Sequence, residues 1–189
     1  MPQYTLRLEL EDIAPPIWRR ITVPSAIRLP ALHDCIQIVM GWEDCHLHAF
    51  HAGGQFYDDP RGEIFDGRSL DERRVRLETL LNNPGDTLTY IYDWGDEWRH
   101  QVRLESIAPS PPDGTPIIHC LDGARACPPE DAGGPPGYEE FLATLAGPPG
   151  PERDEYLRWA GGAFDPERFD RRAVNIALNR KRWRATYLR

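Results

Sequence analysis

Proline sets the first boundary on this chain. Eleven of its nineteen prolines and seven of its sixteen glycines fall within the 43 residues from Pro109 to Pro151. Each proline removes a backbone donor and fixes φ, so a stretch this dense excludes a long ladder or helix, and regular sheet is not expected in it. Ile117, Ile118, Cys120 and Leu121 interrupt the stretch with apolar side chains, and Tyr138 to Leu145 reads as a helix. The expectation is therefore an ordered, irregular wrap laid over the fold rather than a linker between two domains.

Ahead of the wrap, period-2 patterning dominates. From Tyr4 to Leu10 the side chains alternate, with Tyr4, Leu6, Leu8 and Leu10 on one face and Thr5, Arg7 and Glu9 on the other, the pattern of a half-buried strand. Ile17 to Val23 predicts a second strand, in which Ile17, Ile21 and Val23 are in phase and Arg19 is the odd member. A helix is expected from Pro30 to Met40, because Leu32, Cys35, Ile36, Val39 and Met40 recur at helical spacing between an initial proline and Gly41. His46 to Phe50 and Gln55 to Asp58 flank Gly53-Gly54 as the arms of a hairpin. Asp59 to Asp71 reads as a loop and Leu77 to Leu81 as a short helix. Two more strands, Thr87 to Asp93 and Glu97 to Ile107, are joined through Trp94-Gly95-Asp96, and the second places Trp98, His100, Val102 and Leu104 on its apolar face. Behind the wrap, Glu152 to Trp159 predicts a helix, and another starts from Asp165 as N-cap with Pro166 at N1, carrying Phe169, Ala173, Ile176 and Ala177 on one face. The fold class is α+β: a single domain over residues 1–189, with a mainly antiparallel sheet of about five or more strands, packed helices and the Pro/Gly-rich irregular wrap.

A chain of 189 residues buries enough surface to fold without a metal or disulfide, so any metal it holds serves function. Cys35, Cys45, Cys120 and Cys127 are irregularly spaced and no basic-then-apolar leader precedes the fold, so reduced thiols and a cytoplasmic location are expected. No apolar run approaches the ~18 residues of a membrane span.

Several blocks then carry a resemblance over nearly the whole chain. They are Pro16-Ile17-Trp18-Arg19; His46-Leu47-His48 with Phe50; Asp71-Glu72-Arg73 before Val75 and Leu77; Tyr92-Asp93-Trp94-Gly95-Asp96-Glu97-Trp98 with His100; Cys120 with Gly123-Ala124-Arg125-Ala126-Cys127-Pro128-Pro129-Glu130-Asp131; Gly133-Gly134 with Gly137-Tyr138; and Gly161-Gly162 with Phe164-Asp165-Pro166. Together these resemble the plasmid pRiA4b ORF-3-like family. The resemblance implies a compact α+β domain of bacteria and archaea, often carried on plasmids and insertion elements, an accessory or binding protein without an established activity. Some relatives carry resolvase labels. The serines here, Ser25, Ser69, Ser106 and Ser110, have no arginine-rich N-terminal setting, and His100-Gln101-Val102-Arg103 lies on a strand, where its His and Arg point to opposite faces. Where family members often carry a further cysteine after the Pro-Pro-Glu-Asp run, this chain has Ala132.

The chemistry-bearing residues concentrate in the same blocks. If the wrap folds back over the Asp93 to His100 hairpin, Asp93, Trp94, Asp96, Trp98, His100, Glu130 and Asp131 line the main cleft. A divalent metal is the cofactor such a cleft allows: zinc through His100, Cys120, Cys127 and Asp131, or through the His46 and His48 pair, and magnesium or manganese through carboxylates alone. The bland reading has the acids fixing turns, His46 and His48 paired on an edge strand, and His100 and most of the six tryptophans in the core. No nucleotide-binding, nucleophile-elbow or zincin motif occurs. A noncatalytic binding module is thus the leading expectation, with a metal-dependent hydrolase on Asp93, His100, Glu130 and Asp131 as the alternative. Partners follow from charge. Residues 171–189 carry seven basic groups and no acid, whereas residues 1–170 carry 15 basic and 30 acidic groups, so the tail at 180–189, with Arg180, Lys181, Arg182 and Arg184, either pairs with the acidic body or makes a weak, salt-dependent nucleic-acid contact, and a protein partner is expected separately for a binding module.

Overall fold

In a computed structural model that describes residues 1–62, 68–115 and 117–183, the alternating segments pair into one sheet. Its strands are β1 (Gln3–Leu10), β2 (Trp18–Pro24), β3 (His48–Ala52), β4 (Gln55–Asp58), β5 (Leu70–Asp71), β6 (Thr87–Tyr92), β7 (Trp98–Ala108) and β8 (His119–Ala124), in the order β5-β4-β3-β6-β7-β1-β2-β8. Every neighbouring pair is antiparallel except β4 with β5. The β3–β4 turn places Gly53 at φ 58° and Gly54 at φ 77°, a left-handed pair that glycine adopts without strain.

α1 (Leu29–Met40) covers the inner face of the sheet, and Leu32, Cys35, Ile36 and Val39 join Leu6, Leu8, Ile21, Tyr90 and Val102 in one core. Leu6 and Leu8 are fully buried, and each contributes about 2 kcal/mol by leaving water. The outer face stays polar, as an open antiparallel sheet permits: the Arg7 guanidinium lies 4.3 Å over the Trp18 ring and Arg20 pairs with Glu105 at 2.6 Å. The odd inward member of β2, Arg19, is buried. Its Nε donates to Val39 O at 2.7 Å and its Nη1 to Trp18 O and Ala124 O, each at 2.8 Å, so one guanidinium ties β2, β8 and the C-terminal end of α1, where unpaired helix carbonyls favour a cation.

α2 (Gly134–Ala146) and α3 (Pro151–Trp159) pack together over Phe141, whose ring meets Phe164 and Tyr156 edge-on at 5.0 and 5.5 Å. α4 (Arg171–Arg180) lies against β8 and α1. Among the described residues no helix is long and apolar enough to cross a membrane.

The structure corrects several expectations. β8 forms inside the proline-rich stretch, because residues 117–127 are free of proline and an edge strand pairs on one side alone. Side chains of the last helix bond its backbone in place of a ninth strand: Asn175 Oδ1 accepts the Cys120 N–H at 2.8 Å, Asn175 Nδ2 donates to Cys120 O at 2.9 Å, and Arg171 Nη1 donates to Leu121 O at 2.7 Å. The last helix starts at Arg171, with Asp170 accepting the Ala173 N–H at 2.9 Å, whereas Asp165 closes a separate turn through the Glu167 N–H at 3.0 Å. Both aspartates have capping chemistry, and Phe169, stacked 4.2 Å from the Arg19 guanidinium, holds the intervening chain out of the helix. β3 lies between β4 and β6 and is not an edge strand. Of the tryptophans, Trp42 and Trp98 are buried, Trp18 and Trp183 are half-buried, and Trp94 and Trp159 are exposed.

Candidate metal centre

The register between β3 and β6 builds one side of the site. His48 pairs with Tyr92, and the ladder runs one step further as the Asp93 N–H donates to Leu47 O at 2.9 Å. His46 therefore stands beside Asp93 at the mouth of the β6–β7 turn. Asp93 takes a left-handed φ of 58°, which a short polar side chain tolerates. Its Oδ1 accepts the Gly95 N–H at 2.8 Å, while its Oδ2 lies 3.7 Å from His46 Nε2.

The wrap supplies the other side. Trp42 Nε1 donates to Pro128 O at 3.1 Å, the Glu43 N–H donates to Glu130 Oε1 at 2.8 Å, and the Tyr92 hydroxyl donates to the same carboxylate at 3.1 Å. Burial pushes the Tyr92 hydroxyl well above its ordinary range and Glu130 adds to the rise, so it stays a donor. The Gly133 N–H donates to Asp96 Oδ2 at 2.9 Å. Gly134, at φ +69°, brings the backbone so close that a Cβ there would lie 2.6 Å from Asp96 O. Pinned in this way, the wrap places Glu130 Oε2 3.8 Å and Asp131 Oδ1 3.2 Å from His46 Nε2.

His46 Nε2 is thus a buried ring nitrogen that faces three carboxylates and makes no hydrogen bond; Asp131 comes close without the alignment one requires. Two donors that share an ion at about 2.1 Å each stand roughly 3 to 3.5 Å apart, close to these separations. Among the described residues, two groups bring their donor atoms within 4.8 Å of one another: His46 with Asp93 and Asp131, and Cys45 with His46 and Glu130.

The sequence-derived candidates divide accordingly. His46, Asp93, Glu130 and Asp131 come together, and Asp96 holds the wrap beside them. His100 takes no part. It is fully buried, its Nδ1 faces Trp98 O at 3.0 Å and Tyr90 O at 3.3 Å, and its ring edge meets Trp42 at 5.1 Å. Burial pushes its pKa down to about 4, which keeps the ring neutral. Cys120 is buried on β8, and burial drives the Cys127 thiol far up, so neither joins a donor group. His48 Nε2 meets Glu72 at 2.9 Å instead. Trp98 is core and Trp94 lies exposed on the turn. As the strand reading requires, His100 is buried and Arg103 exposed. Cys45 and Tyr92 were not singled out for the site; their signal in the sequence was adjacency to His46 and Asp93. In the tail, Arg180 is exposed at the end of α4, Lys181 Nζ meets Asp34 at 2.6 Å, Arg182 is exposed, and Arg184 lies outside the described residues.

Comparison with known proteins agrees with this fold. Residues 2–173 match the family model described as plasmid pRiA4b ORF-3-like protein. The chain is 36% identical over 173 residues to "Uncharacterized protein y4hQ" of Sinorhizobium fredii (strain NBRC 101917 / NGR234), covering 91% of this chain and 86% of that protein. A crystal structure of a protein of unknown function, MM3350 from Methanosarcina mazei Go1, is 38% identical and superposes with a TM-score of 0.79, covering 90% of this chain and 96% of that one.

Proposed function

The chain belongs to the plasmid pRiA4b ORF-3-like family, and from that premise we propose that it is a binding module in which a divalent cation closes the wrap over the β6–β7 turn. One observation carries the reading: His46 Nε2 is buried without a hydrogen bond while three carboxylates face it at 3.2 to 3.8 Å. A cation there relieves the mutual repulsion of Asp93, Glu130 and Asp131 and gives the imidazole a partner. One nitrogen with carboxylate oxygens suits zinc first and manganese second, because magnesium favours all-oxygen shells; Cys45 beside the group adds a donor that further favours zinc.

The ligands come from three segments far apart in sequence, so loading fixes the wrap against the sheet and sets the shape of the surface a partner meets. The hydrolase alternative loses His100, which is sealed in the core and stands in neither donor group with the carboxylates.

Metal analysis of the purified chain and calorimetric titration with zinc and manganese test the proposal. The expected result is one zinc per chain, with His46→Ala weakening binding at least about 100-fold, or roughly 3 kcal/mol, at unchanged secondary structure. A chain that takes up neither metal stoichiometrically, or a His46→Ala variant that binds as the parent does, overturns it.

A further inference from the structure

A second polar cluster lies outside the metal centre, between α1 and the sheet. Its hydrogen bonds form a closed ring with a direction. The Asp44 N–H donates to Gln37 Oε1 at 3.0 Å, which sets the amide so that Gln37 Nε2 donates to the Tyr90 hydroxyl oxygen at 3.0 Å. The Tyr90 proton is thereby directed to His33 Nδ1 at 2.8 Å, and His33 Nε2 returns its own proton to Asp44 Oδ1 at 2.9 Å. The ring closes only with His33 neutral and protonated on Nε2.

His48 stacks flat on His33, with ring centroids 3.6 Å apart and planes inclined by 7°. Its Nε2 is held by Glu72 Oε2 at 2.9 Å, and Glu72 is itself only 2% exposed. His48 Nδ1 is then the one nitrogen of the stacked pair without a hydrogen bond to the described residues. Burying four polar side chains, His33, Gln37, Glu72 and Tyr90, where apolar ones would pack adds nothing that the fold requires, and carboxylate–imidazole pairs such as Glu72 with His48 concentrate at ligand sites.

Both imidazoles line a cleft of about 600 Å³, bordered by His46 and carrying Arg61, Arg73, Lys181 and Arg182. That is the size of pocket that encloses a small molecule. Its carboxylates are already engaged: Asp44 and Glu72 by the imidazoles, Asp59 by Arg61, and Asp34 by Lys181. Arg73 pairs with Asp71 through Nε and Nη2 and keeps Nη1, and Arg182 makes no ion pair among the described residues. What is left to meet a ligand is guanidinium N–H groups and one imidazole nitrogen.

We propose that this cleft binds a phosphate-bearing small molecule, the phosphate seated on Arg73 and Arg182 and a polar group of the ligand hydrogen-bonded to His48 Nδ1. The planar guanidinium fork matches phosphate oxygens, and the stacked imidazoles offer a flat polar wall beside them. The proposal stands apart from the cation reading, since none of Arg73, Arg182, Glu72 and His48 belongs to the metal-binding groups.

Inorganic phosphate is the probe. It is titrated into the full chain at constant ionic strength with EDTA present, which empties the metal centre, while the histidine ring resonances are followed by NMR. The expected result is a saturable shift at His48 and His33 and none at the exposed His119. The Arg73→Ala/Arg182→Ala double variant should bind at least about tenfold more weakly with an unchanged unfolding temperature, and Arg182→Ala alone, at an exposed site, at least about threefold more weakly. No saturable shift, a shift confined to His46, a response to acetate as strong as to phosphate, or parental binding by Arg182→Ala overturns the proposal.

Discussion

His100 sits with Nδ1 3.0 Å from the Trp98 carbonyl and no exposed surface, so a second proton on its ring would place a charge in the core. Its folded pKa of about 4 lies below the ordinary value of 6.5, which means that the unfolded chain binds the proton more readily. Stability is therefore full above pH 6.5 and falls as pH drops toward 4, by about 2 kcal/mol between pH 8 and pH 5 and about 3 in all. His33, also lowered by burial, acts in the same direction, because protonating its Nδ1 breaks the ring of hydrogen bonds through Tyr90. Urea denaturation at pH 8, 6.5 and 5 measures this. His100→Gln should flatten the dependence by the His100 share, and equal stability of the parent at pH 8 and 5 would contradict the assignment. The chain's own pattern already put His100 on an apolar strand face between Trp98 and Val102. It also marked His46, Asp93, Glu130 and Asp131, but grouped His100 with the acids, because alternation along a strand reports a face and not which loop will cover it. That His46 meets Asp93 depends on the ladder running one residue beyond β3, and a register of that kind is set by pairing across 45 residues.

Elements with their own local signals were legible: α1 between Pro30 and Gly41, the hairpin around Gly53-Gly54, and the β6–β7 pair. β8 was not, because proline averaged over 43 residues hides the proline-free window 117–127, and its pairing with β2 and Asn175 is a tertiary contact. The wrap that follows β8 was expected to pack on the β6–β7 hairpin, and the Gly133 N–H to Asp96 bond at 2.9 Å is where it does so. Its position rests on Gly134. An alanine there takes a left-handed φ of +69° and drives Cβ to 2.6 Å from Asp96 O, against backbone that has no side chain to rotate away. Strain and overpacking together cost about 2 to 4 kcal/mol, and relief comes by lifting the wrap, which carries Glu130 and Asp131 off His46. Gly134→Ala should therefore lower both the unfolding midpoint and zinc affinity without altering any ligand. Gly150→Ala is the matched control: its φ of −176° is extended, a Cβ there meets nothing within 4 Å, and its effect should stay within about 0.5 kcal/mol. Parental zinc affinity in Gly134→Ala would show that the wrap is not what positions the carboxylates.

For the molecule as a whole, charge separates the C-terminal segment from the body. Residues 180–189 hold Arg180, Lys181, Arg182, Arg184 and Arg189 with no acid, so ending the chain after Asn179 changes its net charge from −8 to −13. The family match stops at residue 173, which leaves this basic segment outside it. Two contacts tie its first residues to the fold: Lys181 Nζ lies 2.6 Å from Asp34 Oδ1 on α1, and Trp183 Nε1 donates to Leu178 O at 3.2 Å across the end of α4. The ion pair is 36% and 30% exposed at its two side chains, so solvent screening holds it below about 1 kcal/mol, and the half-buried Trp183 ring adds about as much through packing. A chain ended after Asn179 should accordingly lose about 1 to 2 kcal/mol of stability, with Asp34→Asn reproducing the smaller, salt-sensitive part. An acidic body repels a phosphate backbone while Lys181 is committed to Asp34, so the same truncation should leave nucleic-acid binding unchanged. Fluorescence anisotropy with labelled single- and double-stranded DNA at about 20 and 150 mM salt decides the point. Binding by the intact chain at the lower salt, lost on truncation, would assign the basic segment to a nucleic-acid partner, whereas equal curves with a lowered unfolding midpoint assign it to holding α4 against α1.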